Sequence, residues 1–366
     1  MRTKAAVLWE VGTPWSVEEV ELADPGPGQV LIRLAATGLC HSDDHAVTGD
    51  APVGLPIVGG HEGAGVVEAL GPGVDRVAAG DHVVLAFNFP CGHCRYCAGG
   101  RSALCYVARR RLAGKAYPSP FSRDGRPISA MGGLGTFSQY TVVPQESLVP
   151  IDKDVSFDVA ALLGCAVTTG WGAAVHLAGV RPGEHVVVIG CGGVGMNSLQ
   201  GARTAGADIV VAVDPNPYKR EQAATFGATH AVADIPAAKA LLEELTHGHL
   251  ADVAILSVGV GSSALVGQMM TTVGLDGRGV ITAVTPGAAD AIEMSVVGFT
   301  LSQQTLRGNV YGGVNMHRDI GVLLGLYRRG KLNLDELVTR RYALEDINQG
   351  YADMHAGLNL RGVVQL

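Results

Sequence analysis

The chain has 366 residues, enough for two sizeable domains, and its 47% hydrophobic but only 5% aromatic content suits a compact α/β protein rich in alanine, valine and glycine. A formal net charge of −7 argues against a nucleic-acid surface. Two long uncharged spans, 159–180 and 253–275, are interrupted by Gly and by Thr, Ser or His, which fits buried helices and strands better than membrane crossing.

The opening stretch MRTKAAVLWE has too short an apolar run for a signal peptide before Glu10 breaks it, so a cytoplasmic location is expected. Residues 1 to about 150 read as β-rich and irregular. Extended runs such as 29–34 and 82–87 alternate with turn signals at Asp24-Pro25-Gly26-Pro27-Gly28, Gly71-Pro72-Gly73 and Gly80-Asp81. This part of the chain has no βαβ rhythm.

Chemistry-bearing residues appear early. Cys40-His41-Ser42-Asp43-Asp44-His45 follows the first extended run, and Gly60-His61-Glu62-Gly63 follows a second turn. Together with Cys165, in the stretch Gly164 to Gly170, they offer Cys40, His61 and Cys165 as a Cys₂His set with a fourth zinc position open, the arrangement of a catalytic zinc. Spacing alone does not bring three such distant residues together. Seven cysteines is an odd number, and four of them crowd into Cys91-x₂-Cys94-x₂-Cys97-x₇-Cys105. That favours metal ligation in a reducing compartment over a disulfide framework. Four thiolates so close can close a tetrahedral zinc site that pins a loop lacking its own core. An iron–sulfur cluster is the competing reading. His93, between two of these cysteines, reads as a solvated loop residue.

The rhythm changes at about residue 184. A β-branched run, 186–189, leads into Gly190-Cys191-Gly192-Gly193-Val194-Gly195, then a helical stretch 194–205 and a strand 209–213 that ends on Asp214. This is G-x-G-x-x-G in a strand–turn–helix–strand setting. The glycines permit a tight turn, close backbone approach to a pyrophosphate and close helix–strand packing. The helix N-terminus presents free N–H groups to the phosphates. Asp214 is placed to accept hydrogen bonds from an adenosine ribose and would repel a 2′-phosphate, which favours NAD over NADP. Further strand-like runs at 252–258 and 279–284, with helical stretches at 219–226 and 237–245, predict a doubly wound parallel sheet. After about Tyr311 come helical stretches and a final strand, 362–366.

CHSDDH, GHEGAG, the four-cysteine loop, GTFSQYTVV (135–143), GCAVTTG and GCGGVG occur in the order found in zinc-dependent medium-chain alcohol dehydrogenases, which the whole chain resembles. CHSD, DPNPYKREQA and LEDINQGY look closest to bacterial NDMA-dependent (nicotinoprotein) members, in which tightly held NAD(H) cycles without leaving. The resemblance implies a GroES-like β-rich catalytic domain, 1–160 with 311–366, and a Rossmann NAD-binding domain, 161–310. It implies two Zn²⁺ per subunit, with Cys40, His61 and Cys165 as catalytic ligands and Cys91, Cys94, Cys97 and Cys105 as structural ones. Glu62 matches the carboxylate beside the catalytic metal, and Asp43 the partner of the ligand histidine. Ser42 matches the hydroxyl of a proton relay and His45 its outer histidine. Asp214 and Lys219 match ribose contacts, Arg361 a pyrophosphate contact, and Thr169 and Val194 neighbours of the nicotinamide. His41 stands where some members carry an arginine facing the pyrophosphate, so a permanent charge is missing there. Phe87 resembles a pocket-lining aromatic.

The expected activity is interconversion of alcohols and aldehydes or ketones by hydride transfer to and from NAD(H), with primary alcohols, aromatic or medium-chain, as the expected substrates and a homodimer or homotetramer as the expected assembly. Two alternatives stay open: a thiol-dependent formaldehyde dehydrogenase, and a non-catalytic NAD- and zinc-binding module. Zinc-free quinone reduction is disfavoured by the retained Cys40, His61 and Cys165.

Overall fold

The computed structural model describes residues 1–112, 119–284 and 291–366. The chain divides into two compact units. The first comprises Met1–Cys165, Asn315–Leu324 and Leu334–Leu366; the second comprises Ala166–Val314 and Gly325–Asn333. Residues 161–165, expected in the second unit, thus pack with the first, and residues 311–314 and 325–333, expected in the first, pack with the second.

In the first unit, Arg2–Leu8, Ser16–Leu22, Phe121–Arg123, Arg126–Ala130 and Ile57–Val58 close into a small barrel. A sheet beside it runs in the order Leu148–Ile151, His82–Ala86, Glu62–Leu70, Gln29–Gly38, Arg361–Gln365, Val338–Ala343, with Tyr140–Pro144 also paired to Gln29–Gly38. The period-2 alternation of a half-buried strand explains the central element: Val30, Ile32 and Leu34 point into a core with Val67, Val83, Leu85, Val143 and Leu148. The runs expected at 29–34 and 82–87 are strands, the first extended to Gly38.

The second unit is built on a parallel sheet in the order His230–Val232, Ile209–Val213, His185–Ile189, Ala251–Leu256, Val273–Ile281, Thr305–Gly308. Its near-continuous Val/Ile/Ala runs are buried on both faces, as a helix-covered parallel sheet requires. Helices start where the sequence supplies caps. Asn216 accepts from Tyr218 N at 2.9 Å and Asp234 from Ala237 N at 2.8 Å, each followed by proline in the first turn. The Asn-Pro pair therefore starts its helix at Pro217 rather than at the expected 219. The strand expected at 279–284 instead spans Val273–Ile281. Asp276, at φ 55°, makes its first half look like a turn, although the strand continues through it. His230–Val232 and Thr305–Gly308 are short edge strands without an apolar alternation, and the sequence gives no sign of them.

The uncharged span 159–180 holds the last residues of helix Phe157–Leu162, then helix Ala166–Gly172 and a π-helical turn, Ala173–Ala178. Among the described residues no helix is long and apolar enough to cross a membrane.

Candidate active site

Three elements of the first unit converge on one buried cluster. Cys40 lies just past Gln29–Gly38 and caps helix His41–Thr48; His61 and Glu62 open strand Glu62–Leu70; Cys165 follows helix Phe157–Leu162. One ligand atom from each of Cys40, His61, Glu62 and Cys165 lies within 4.8 Å of all the others, and all four residues are buried. A tetrahedral zinc with bonds of about 2.3 Å needs ligand atoms about 3.7 Å apart, so the donor set fits the ion in number, chemistry and span. Close approach depends on glycine at two positions. A Cβ on Gly38 would occupy the space of the Glu62 carboxylate and the Arg361 guanidinium. One on Gly164 would meet the carbonyl oxygens of Leu85 and Ala161.

The surroundings orient the ligands. Asp43 Oδ2 stands 3.0 Å from His61 Nδ1, and Asp43 Oδ1 accepts from Gly60 N at 2.8 Å. With Nδ1 turned to Asp43, Nε2 is left for the cluster, which is how an outer carboxylate fixes a ligand tautomer. The Phe87 ring meets the His61 ring edge-on, centroids 5.4 Å apart.

Electrostatics tell the same story. The Cys165 thiol, donating to Cys40, holds the Cys40 thiol well below the usual range against the opposing effect of burial, with help from His61 and Arg361. That hydrogen bond and burial push Cys165 up. Burial opposes a charged His61, but Asp43 and Cys40 outweigh it and raise its pKa. Burial lifts Glu62 to about 7, opposed by its ion pair with Arg361. Two thiols and an imidazole gathered together and closed off from water are a ligand set matched to a divalent cation.

Ser42 Oγ is 3.7 Å from Cys40 Sγ. His45 is buried, and its Nδ1 is 3.3 Å from Asp50 Oδ2, which also accepts from the Thr48 hydroxyl at 2.7 Å. Asp50 was invisible to motif reading because it lies past the helix, beyond a left-handed Gly49 (φ 81°). His41 is half-buried in the first turn of the same helix.

Cys91, Cys94, Cys97 and Cys105 form a second cluster, their sulfurs mutually within 4.8 Å. Backbone N–H groups of Cys91, Cys94 and Ala108 point at sulfurs of the set at 3.3–3.4 Å. The Cys97 N–H is the main cause that draws the Cys94 thiol down to about 6, whereas burial drives Cys97 up to about 12. His93 is exposed in the loop.

The second unit carries the glycine turn. Strand His185–Ile189 ends at Gly190 (φ 90°), Gly192 caps helix Gly193–Thr204, and a Cβ on Gly195 would collide with the Gly190 carbonyl. Asp214 follows strand Ile209–Val213, with Oδ2 accepting from Cys191 N at 2.8 Å and Oδ1 from Asn216 N at 2.9 Å. The carboxylate thus clamps the turn, and each oxygen keeps a further lone pair. Lys219 stands on the next helix, Pro217–Ala223. Thr169 lies on helix Ala166–Gly172, which approaches Val194 through Gly170: a Cβ there would strike the Val194 carbonyl. Arg361, in the first unit, is buried and paired with Glu62, and its Nε has no acceptor among the described residues.

An alcohol dehydrogenase GroES-like domain matches residues 26–153, and a zinc-binding dehydrogenase domain matches residues 193–325. Over its whole length the chain is 48% identical to alcohol dehydrogenase B of Mycobacterium tuberculosis, covering 98% of that protein. It is 46% identical to the NDMA-dependent alcohol dehydrogenase of Amycolatopsis methanolica, again over its whole length and covering 99% of that protein. The benzyl alcohol dehydrogenase structure from Acinetobacter calcoaceticus shares the fold with a TM-score of 0.90 at 30% identity, over 100% of this chain and 99% of that one. On this full-length similarity the chain belongs to the zinc-dependent medium-chain alcohol dehydrogenase family, oxidoreductases of alcohols and aldehydes that use zinc and a nicotinamide coenzyme.

Proposed function

We propose that the chain oxidises small primary alcohols, aromatic or medium-chain, to aldehydes with an NAD(H) that stays bound through turnover. The observation that carries this reading is the buried convergence of Cys40, His61 and Cys165 beside Glu62. A zinc ion held there supplies Lewis-acid polarisation of the alcohol, and NAD supplies the hydride acceptor.

The chain's own residues do the rest. Cys40, Cys165 and His61 Nε2 hold the metal, and Asp43 keeps His61 in the ligating tautomer. Ser42 Oγ accepts the alcohol proton and passes its own toward His45. Asp50, on His45 Nδ1, orients that ring. Phe87, edge-on to His61, presents an apolar wall that suits an aromatic or alkyl substituent. Gly190, Gly192, Gly193, Val194 and Gly195 cradle the pyrophosphate. Asp214 and Lys219 hold the adenosine ribose. Thr169 and Val194 flank the nicotinamide. Holding the reacting groups in place with water excluded contributes part of the acceleration. The four-cysteine cluster holds a second, structural zinc.

The same reading includes a cytoplasmic protein that assembles as a homodimer or homotetramer. Leu275, Val296, Val297 and Leu301 are all at least 70% exposed in the second unit, whose sheet ends on strand Thr305–Gly308; an apolar surface of this kind suits a second copy. The test is alcohol oxidation by purified protein with an artificial electron acceptor and no added coenzyme. Benzyl alcohol turnover that is lost in Cys40→Ser and Cys165→Ala is expected. Full activity in either variant removes the proposed metal role, and activity on formaldehyde only with an added thiol favours the thiol-adduct chemistry instead.

A further inference from the structure

Helix His41–Thr48 is an unusual platform for a reaction site. It has eight residues, and the four it buries are Asp43, Asp44, His45 and Ala46. So short a helix is marginal by itself, and only Ala46 and the partly buried Val47 give it apolar anchorage. Its rotation about its own axis is therefore set by polar tethers. Asp43 is tied to Gly60 and His61, and His45 to Asp50. Asp44, the remaining buried carboxylate, has its Oδ2 2.8 Å from His355 Nε2.

His355 is the last residue of helix Ile347–His355, and Tyr351 lies one turn earlier on the same face. Tyr351 is buried against Trp15 and Phe137, and its hydroxyl donates to the Cys40 carbonyl at 3.4 Å. The C-terminal helix thus grips the start of helix His41–Thr48 at two points. Asp44 lies in that helix's first turn and His355 in the last turn of its own, so each suits its helix dipole.

We propose that His355, acting through Asp44, is a positioning residue for the reaction. It fixes the rotation of helix His41–Thr48 so that Asp43 meets His61 and Ser42 meets the metal set. This rests on the roles given above to Asp43 and Ser42.

The test compares His355→Ala, His355→Gln, Asp44→Ala and the double alanine variant, each purified with its zinc and coenzyme. kcat and KM for benzyl alcohol are read beside the rate at which the more labile zinc passes to a chelator. His355→Ala should lower kcat about tenfold with KM within about twofold, and should speed zinc release about fivefold. Gln, whose side-chain N–H reaches the same carboxylate, should recover both to within about twofold. The double variant should be no worse than the worse single, because both remove one link. His355 has a 54% exposed side chain, so its truncation leaves the core intact, and the thermal midpoint checks this. Wild-type kcat and zinc release in His355→Ala overturn the proposal, as do losses that multiply in the double variant or a Gln variant no better than Ala. If the wild-type protein oxidises no alcohol, the functional reading fails, and the zinc-release comparison still decides the role of His355.

Discussion

Asp43→Asn isolates the contribution of the carboxylate behind the metal ligand. The substitution preserves shape: Asn Oδ1 still accepts the Gly60 N–H now bonded at 2.8 Å, so the turn that presents His61 is retained. What changes is the atom 3.0 Å from His61 Nδ1, where an amide N–H replaces Oδ2. Two donors then face each other, and the ring must adopt the other tautomer or lose its partner. Asp43 is fully buried and His61 is 4% exposed, so no water can substitute. Loss of such an outer partner typically costs 10–100-fold in metal affinity or activity, about 1.4–2.7 kcal/mol. The assay is zinc affinity by chelator competition alongside kcat/KM. Asp43→Ala should be worse still in thermal stability, since it also strands the buried Gly60 N–H at a cost of about 1–3 kcal/mol. An Asp43→Asn protein with wild-type zinc affinity and wild-type kcat/KM would refute the reasoning.

Gly195→Ala should fold poorly or purify without nicotinamide, because its Cβ meets the Gly190 carbonyl; wild-type coenzyme content measured after denaturation would contradict this. Cys94→Ser should purify with one zinc instead of two and melt several degrees lower while the Cys40 site keeps its metal, as metal analysis and calorimetry can check. Asp353 accepts hydrogen bonds from Tyr342, Gln349 and Arg340, which hold its carboxyl below the ordinary value, the Tyr342 bond most of all. A depressed folded-state pKa stabilises the protein above the unfolded value, and this stabilisation fades as pH falls through the folded one. The melting-temperature gap between wild type and Asp353→Asn should therefore be constant near neutrality and close below about pH 4; a gap that widens there would contradict the assignment.

Local features of the site were legible, and long-range ones were not. The glycine turn and strand Ile209–Val213 follow from contiguous residues, because a tight turn, a cap and an apolar run are short-range constraints. The four-cysteine loop was legible by density alone. Cys40, His61 and Cys165 could be named from their residue types as a Cys₂His set, but nothing in their spacing brings them together, and only the family resemblance joined them in one site. The contacts that complete the site escaped both routes. Arg361 was expected as a phosphate contact, yet its guanidinium also neutralises Glu62 across the sheet, in a pairing that only strand Arg361–Gln365 lying beside Gln29–Gly38 makes possible. His355 with Asp44 depends on how two helices are seated, and Asp50 with His45 on the left-handed turn at Gly49 that ends one helix, which no periodicity records.

The most direct measurement of the central claim is the zinc and nicotinamide content of the freshly purified protein, with no coenzyme added. The two clusters predict two zinc ions per chain, and the nicotinoprotein reading predicts about one NAD(H) released on denaturation. Two zinc ions without coenzyme would contradict only the retention of NAD(H). One zinc ion or none, with reconstitution failing to restore the second, would contradict the catalytic metal site itself.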